Sequence, residues 1–548
     1  MNFDYVIVGG GSAGCVVASR LSEDPSVTVC LIEAGPRDTS PLIHMPGGIS
    51  AILPTRHVNW AFKTVPQPGL GGRRGYQPRG KALGGSSSIN SMVYIRGHKT
   101  DYDDWANLGN GGWSYEDVLP WFKKSEDFFG GESRFHGTGG ELAVTAVVPH
   151  PATQAFVEGA HSVGHRMNVD FNGEDQEGVG LFHVTMRNGR RCSTSVAFIH
   201  PVANKRTNLT VITNAQVTQL LMSGKTALGV RALINGRKED IRANRETILS
   251  AGAFGSPQLL LLSGIGSEKN LRPHGIDVRH ELPGVGEGLV DHPDYALPYT
   301  TKDKSLLGIS FSGAVTMFRA WREYQRSQTG ILASNCVEAG GFLRTDKTLD
   351  RPDVQLHYVI GIVDDHNRKP HFAHGMSCHV CVLRPKSRGS VTLNSADPLD
   401  APRIDPGFFT QDDDVATMLK GYYMVRDIME SGPLGKYAPK ELYTKNVRSE
   451  DEFVALLRRR TDSVYHPVGT CRMGNDELSV VDQRLRVRGV ERLRVIDASI
   501  MPTLVGGNTN APSIMIGERG AAFISEDWGL STLDGFRVDT SNATTSYV

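Results

Sequence analysis

No stretch of this sequence stays apolar for the ~18 residues that a membrane-crossing helix needs, so no transmembrane span is expected. There is no charge imbalance either. Lys+Arg and Asp+Glu both number 59, which implies no polyanionic partner. The short cluster Arg187-Asn188-Gly189-Arg190-Arg191 falls well short of the basic stripe of nucleic-acid binders. Cysteine is sparse: seven residues, an odd number, scattered without a framework spacing, as expected in a reducing compartment. Cys378 and Cys381 have C-x-x-C spacing, yet they fall in an alternating strand-like run with no second pair. They read as structural, and no metal site is expected. The first strand-like run starts at residue 3, leaving no room ahead of it for a signal peptide. The expected location is cytoplasmic, with peripheral membrane contact left open. No internal repeat is visible.

What is present begins at the N-terminus. Asp4-Tyr5-Val6-Ile7-Val8 is a run of strand formers that enters Gly9-Gly10-Gly11-Ser12-Ala13-Gly14. An apolar-periodic helical segment follows (Cys15, Val16, Val17, Ala18, Leu21), then a second strand-like run, Val27 to Ile32, ending at Glu33. This order of strand, glycine turn, helix, strand and acid is that of a dinucleotide-binding unit. Its first glycine permits the turn, its second admits a pyrophosphate to the backbone, and its third lets helix pack on strand. The helix start offers unpaired N–H groups and a positive dipole end to the phosphates. Glu33 lies nineteen residues after Gly14, close to the ~20 expected for the acid that accepts ribose hydroxyls. An acid there disfavours a 2′-phosphate. The ligand is therefore NAD or FAD, and this stretch leaves both open.

A length of 548 residues, 39% hydrophobic and 22% charged, suits two domains. Beyond Glu33 a Pro/Gly-rich segment runs to about Gly75, long enough to be functional. The stretch Pro78 to Met92 is rich in glycine and hydroxyls, and its backbone N–H groups are suited to ring a polar ligand. Residues 101–125 read as helical, and 150–190 as a separate polar excursion. Strands are expected at Leu209–Ile212, Val217–Leu221 and from Glu246 into a turn at Gly252. A short helix over 255–266 follows, with Pro257 near its start. From 304 to 464 alternating runs (Val354 to Tyr358, Cys378 to Leu383) predict an antiparallel sheet with helices near 411–430 and 449–460. Strand–turn–helix returns at Leu493 to Ala498, with a helix from Pro512 to about Ile524 and a polar tail over 528–548.

Four further segments carry a resemblance. Gly80 to Tyr94, Gly252 to Gly266 (with Ser256-Pro257 and Ser263-Gly264-Ile265-Gly266), Val464 to Thr470 and Gly506 to Pro512 resemble, in order, the signatures and catalytic segments of the glucose–methanol–choline oxidoreductases. The resemblance spans residues 3 to about 527 and is strongest toward bacterial FAD-dependent alcohol dehydrogenases of alkane degradation and choline dehydrogenase. It implies FAD, not NAD. It also implies an α/β fold: a discontinuous Rossmann-like FAD-binding domain (1–150, 191–303 and 465–527) and an α+β substrate-binding domain with an antiparallel sheet (151–190 and 304–464).

The activity implied is oxidation of a primary alcohol to the aldehyde, with hydride passing to the flavin and electrons onward to a quinone or other acceptor. Removal of the hydroxyl proton needs a base, and His466 is the implied one, since imidazole titrates near neutrality. Asn510 is the implied donor to the same oxygen. Implied cofactor contacts are Gly9, Gly11, Ser12, Ala13, Gly14, Glu33, Ala34, Gly84, Gly85, Asn90, Met92, Val93, Ala251, Asn508 and Thr509. Val217 is expected to touch adenine through its backbone, Trp60 to stack near the flavin, and Asp497 and Ala498 to bond ribityl and phosphate oxygens. Relatives with covalent flavin carry histidine just before the asparagine of the first signature. Here that residue is Ile89, so FAD is expected to be non-covalent. Competing readings are an oxidase that reduces O₂ to peroxide, a choline dehydrogenase with Glu338 as a candidate acid for the cation, a lyase keeping flavin as structure, and a non-enzymatic FAD binder. The polar run 364–374 is expected to be a solvated loop at the entrance.

Overall fold

The computed structural model describes residues 1–531, so most of the expected polar tail lies outside the described residues. Two seven-stranded sheets organise the chain. The first is built around the strand Asn2–Val8, whose residues Tyr5 to Val8 are buried, as a central parallel strand demands. Val29–Ile32 lies parallel on one side, with Leu209–Ile212 beyond it, and the long strand Arg237–Leu249 lies parallel on the other. Val8 is level with both Ile32 and Leu249, so three strands end together at the glycine turn. That edge, at the carboxyl ends of parallel strands, is where open α/β sheets bind ligands.

The strand Arg237–Leu249 serves two neighbours. Its first half pairs antiparallel with Thr226–Ile234, which in turn pairs with Ala215–Ser223. Its last residues, Thr247 to Leu249, pair parallel with Leu493–Val495 from near the end of the chain. The helix Ser12–Leu21 packs against the last helix, Asn510–Trp528. Gly517 allows that approach, because a Cβ there would sit 2.9 Å from the carbonyl oxygen of Ala13.

The second sheet is antiparallel throughout, in the order Lys440–Glu441, Pro293–Thr301, His374–Val382, Val354–Val359, Ala339–Leu343 and Gly178–Leu181, with Asp462–Ser463 also on Pro293–Thr301. Period-two alternation gives it two faces. Val354, Leu356 and Tyr358 join a core with Val415, Met418, Tyr422 and Val425 of the helix Asp412–Met429. His357 and Val359 instead line the cavity between the sheets.

Several expectations shift. Pro293–Thr301 belongs to the second sheet, so the chain crosses between sheets near residue 291 rather than at 303/304. The helical run 101–125 is two helices, Lys99–Asn107 and Tyr115–Ser125, the latter capped by Ser114 and Asp117. The helix expected at 255–266 is Gly252–Leu262, with Pro257 inside it. The final helix starts two residues before Pro512, at Asn510, and extends to Trp528. A seventeen-residue helix, Phe311–Ser327, lies in the second half of the chain where the sequence named no element. No helix of the described residues is long and apolar enough to cross a membrane. Cys378 and Cys381 fall in different apolar clusters on opposite faces of their strand.

Candidate active site

A cavity of about 1010 Å³ lies between the sheets, at the carboxyl ends of the parallel strands. The glycine turn forms one wall. Gly9 has φ +104°, and a Cβ there would lie 2.4 Å from the carbonyl oxygen of Ser250. At Gly14 a Cβ would meet the carbonyl oxygen of Gly9 at 2.0 Å. Gly11 differs: its Cβ would have only Ser250 O, at 4.0 Å, and would point into cavity space that a bound group needs. Ser12 Oγ donates to Asn510 Oδ1 at 2.8 Å, tying the starts of the first and last helices together. Two positive dipole ends thus meet at one place, which suits a pyrophosphate.

Glu33 follows directly on the second strand. Its Oε2 accepts from Gly10 N at 3.0 Å and its Oε1 from Gly35 N at 2.8 Å, and burial pushes its carboxyl up to about 7. The residues present therefore fit an adenine dinucleotide.

Most of the expected contacts come together here. Gly9, Gly11, Ser12, Ala13, Glu33, Ala34, Trp60, Gly85, Asn90, Met92, Val93, Val217, Ala251, Asp497, Ala498, Asn508, Thr509, Asn510 and His466 all line the cavity. Gly14 and Gly84 do not. Gly14 sits at the helix–strand contact, and Gly84 (φ +89°) turns the chain behind the wall, its N–H bonded to Gly10 O at 2.7 Å. Val217 is the last residue paired, to Ala232, before the strand register shifts. Trp60 stacks on Phe62, with Lys81 Nζ over its other side at 4.0 Å from the ring centroid.

Asp497 behaves differently from expectation. Its carboxylate accepts from Gly252 N (2.8 Å), Ser256 Oγ (2.5 Å), Ser499 N (2.8 Å) and Ser499 Oγ (2.5 Å). An acceptor so occupied braces the starts of two turns, and its carboxylate cannot donate to a phosphate.

Arg191 went unread in the basic cluster. It is 1% exposed, and it donates to Ile43 O, Ser87 O, Asn90 O and Asn90 Oδ1 at 2.7–3.1 Å. It thereby fixes the loop that carries Ile89, Asn90 and Met92, whose φ is +59°. Ile89 packs among Ile43, Ile52, Val58 and Ala82 and offers no nucleophile to a flavin ring. Denaturing the holoprotein is therefore expected to release all its flavin into the supernatant. Yellow colour that stays with the precipitated polypeptide would contradict this.

At the far end of the cavity stands His466. Its backbone N–H donates to Asp291 Oδ1 at 2.8 Å, and Arg79 Nη2 donates to the carbonyl of Tyr465 at 2.8 Å. A carbonyl only accepts, so the contact between His292 Nε2 and Leu383 O (3.0 Å) puts a proton on Nε2 of His292. Burial holds His292 at about 3, hence neutral, and leaves its Nδ1 a bare acceptor. His466 Nδ1, 3.0 Å away, must then be the donor, and His466 Nε2 carries the free lone pair. Burial, with the charge of Arg79 adding to it, holds His466 well below the ordinary imidazole value, so it is the neutral base at pH 7.

The carboxamide facing that lone pair is Asn508, with Nδ2 3.1 Å from His466 Nε2. Gln355 Nε2 donates to Asn508 Oδ1 at 3.0 Å, which fixes the amide's orientation. Asn510, the expected partner, is turned toward Ser12 instead. The reason is local: the helix begins at Asn510, while Asn508 is still in the extended connection before it.

His357 and His379 face the same end of the cavity, opposite each other in register, with His379 Nδ1 2.7 Å from Asp294 Oδ2 and His357 held near 4 by burial. Val359, Val363 and Val464 add apolar wall. Glu338 does not line the cavity. It is buried and accepts from His150 N, Thr153 Oγ1 and Ser334 Oγ at 2.6–2.8 Å. The segment 364–374 is not freely solvated either: buried Asp364 accepts from His371 Nε2 (2.7 Å) and Arg460 Nη2 (2.6 Å), and Asn367 lines the cavity.

Comparison with known proteins agrees with this geometry. Family models described as GMC oxidoreductase match residues 3–294 and 385–517. An alcohol dehydrogenase [acceptor] of Pseudomonas putida is 45% identical over 541 residues, 97% of each chain. Human mitochondrial choline dehydrogenase is 41% identical over 95% of this chain and 89% of its own. Among solved structures, pyridoxine 4-oxidase superposes with a TM-score of 0.86 at 30% identity, covering 95% of this chain and 99% of that one. Matches across both sheets, on a chain whose glycine turn and His466 segment share one cavity, leave a single conclusion: the protein is a member of the GMC oxidoreductase family.

Proposed function

We propose that the protein oxidises neutral primary alcohols to aldehydes, using non-covalent FAD and passing the electrons to a quinone or another carrier. The observation that carries this reading is the unprotonated Nε2 of His466, which accepts from the amide of Asn508 at 3.1 Å at one end of a dinucleotide cavity. A substrate hydroxyl that takes over this contact donates its proton to His466 Nε2 and accepts from Asn508 Nδ2. His292 holds the opposite ring nitrogen, so the base keeps its tautomer while it waits. Asn508 stabilises the alkoxide character that develops as the proton leaves. FAD, when bound, supplies the acceptor for the carbinol hydride. Gly11, Ser12 and Glu33 are the residues suited to its pyrophosphate and ribose, and Asn90, Met92 and Val93 to its ring.

The preference for a neutral substrate rests on charge. The lining carboxylates among the described residues are Glu33, Asp400 and Asp497, all beside the first sheet. The substrate end presents imidazoles, amides, valines and the Tyr465 ring, and no lining carboxylate there offsets a quaternary ammonium. The curated relatives include both an alcohol dehydrogenase and choline dehydrogenases, so the distinction is worth testing. In a panel with an artificial acceptor, aliphatic or aromatic primary alcohols should show kcat/KM about 100-fold or more above that of choline, as expected when a cation is desolvated without a partner. Choline as the best substrate would overturn the assignment. Peroxide formed in step with aldehyde would make the protein an oxidase, and flavin that no alcohol bleaches would make it a lyase. Seven buried, unpaired cysteines suit the reducing cytoplasm proposed for it.

Cofactor affinity should depend on pH through Glu33. Burial raises its carboxyl to about 7 in the cofactor-free protein, and ribose hydroxyls favour the ionised form. Binding below that pH must therefore expel a proton. The affinity of stripped protein for FAD should fall by up to about tenfold per unit as pH drops below 7, and level off above it. Fluorescence titration across pH checks this, and a flat profile would remove Glu33 from the ribose.

A further inference from the structure

The helix Phe311–Ser327 has its polarity inverted relative to the body it sits on. It packs by Ala320 and Tyr324, which join Met45 and Leu332 in a small cluster. The opposite side faces solvent and carries large apolar groups among its polar ones: Phe311 is 89% and Phe318 63% exposed, with Val315 and Trp321 also exposed. The backbone bond from Ile309 N to Ala373 O (3.2 Å) brings Phe372, 87% exposed, to the same end. Scattered exposed apolar residues need no explanation, but a contiguous aromatic face on one helix does. Arg319, Arg322 and Arg326 are all exposed on the helix, against a single acid, Glu323. Aromatic and aliphatic groups on the outward face with arginines on it and along its flank are the pattern of a helix lying in the plane of a bilayer, phenyl groups among acyl chains and guanidinium groups on phosphates.

We propose that this helix docks the enzyme onto an anionic phospholipid surface. The charge on the helix selects the occupant, because a second copy would bring three further arginines against the same three. The docked position also has a direction. The helix leads through Ile331–Ala333 to Asn335, Cys336 and Val337, which line the substrate end of the cavity. Phe372 ends the segment whose Val363 and Asn367 line it from the other side. The bilayer would therefore meet both rims of the route by which an apolar alcohol or quinone arrives. Docking itself does not depend on which alcohol is oxidised.

Flotation of full-length holoenzyme with phosphatidylcholine/phosphatidylglycerol vesicles, against pure phosphatidylcholine, tests the proposal without any turnover. Wild type is expected to float with the anionic vesicles and less at high salt. The F311S/F318S double variant should lose about tenfold or more in partitioning, by lost apolar burial. The R319E/R322E/R326E variant should lose the anionic preference, while both variants keep their flavin and their dye-linked turnover. Wild type that stays at the bottom with anionic vesicles, or variants that float as wild type does, would overturn the proposal. So would a concentration-dependent dimer abolished by F311S/F318S, which would make the face a contact between copies.

Discussion

Replacing His466 by alanine is expected to slow alcohol-driven flavin reduction by about 10²–10⁴-fold, the usual contribution of a positioned base. The FAD content of the purified protein should not change. The size of the effect follows from the surroundings of the ring. The cavity end is buried, and His292 and His357 near it are held at about 3 and about 4. The free Nδ1 of His292 is spent on His466 and cannot take over as base. Stopped-flow reduction separates this step from reoxidation and from cofactor loss. Turnover within tenfold of wild type would remove His466 from the role of proton acceptor.

Exchanging the two asparagines around Thr509 should give opposite phenotypes. Asn508→Ala removes the donor at 3.1 Å from the base and should lower the reduction rate by about 10²–10³-fold, as loss of an oxyanion-type donor does. Substrate binding should weaken less, because the bond strengthens as charge develops on the oxygen. Asn510→Ala breaks the link to Ser12 between the two helix starts, and its effect should fall on FAD retention with the reduction rate of the loaded enzyme little altered. Flavin content and single-turnover rates for both variants decide the matter. If Asn510→Ala slowed reduction and Asn508→Ala did not, the assignment would have to be reversed.

That pair also shows how far the sequence could be read. The glycine turn was legible because its chemistry belongs to the backbone: strand, turn and helix follow one another within 33 residues, and each glycine answers to a steric demand. The choice between Asn508 and Asn510 was not, because it depends on which residue begins the final helix, and boundaries are fixed by packing more than by local propensity. His292 was out of reach for another reason. It meets His466 across a separation of 174 residues, and a lone histidine before proline carries no mark of its partner. Arg191 looked like a surface charge in a basic cluster, whereas four acceptors around the flavin loop draw it inside. The helix Phe311–Ser327 fell in a stretch for which no element had been named.

The strand Arg237–Leu249, shared between neighbours from distant parts of the chain, has a consequence for biosynthesis. A ribosome working at ~5–20 residues per second needs on the order of ten to fifty seconds to go from residue 249 to residue 493. Through that interval Thr247, Ile248 and Leu249 have no partner on one edge, and the groove beside the first helix has no cover. The nascent polypeptide must be shielded from sticking to others until residues 493–528 emerge, and only then does a place for the flavin exist. A message truncated before codon 493 would yield colourless, aggregating product.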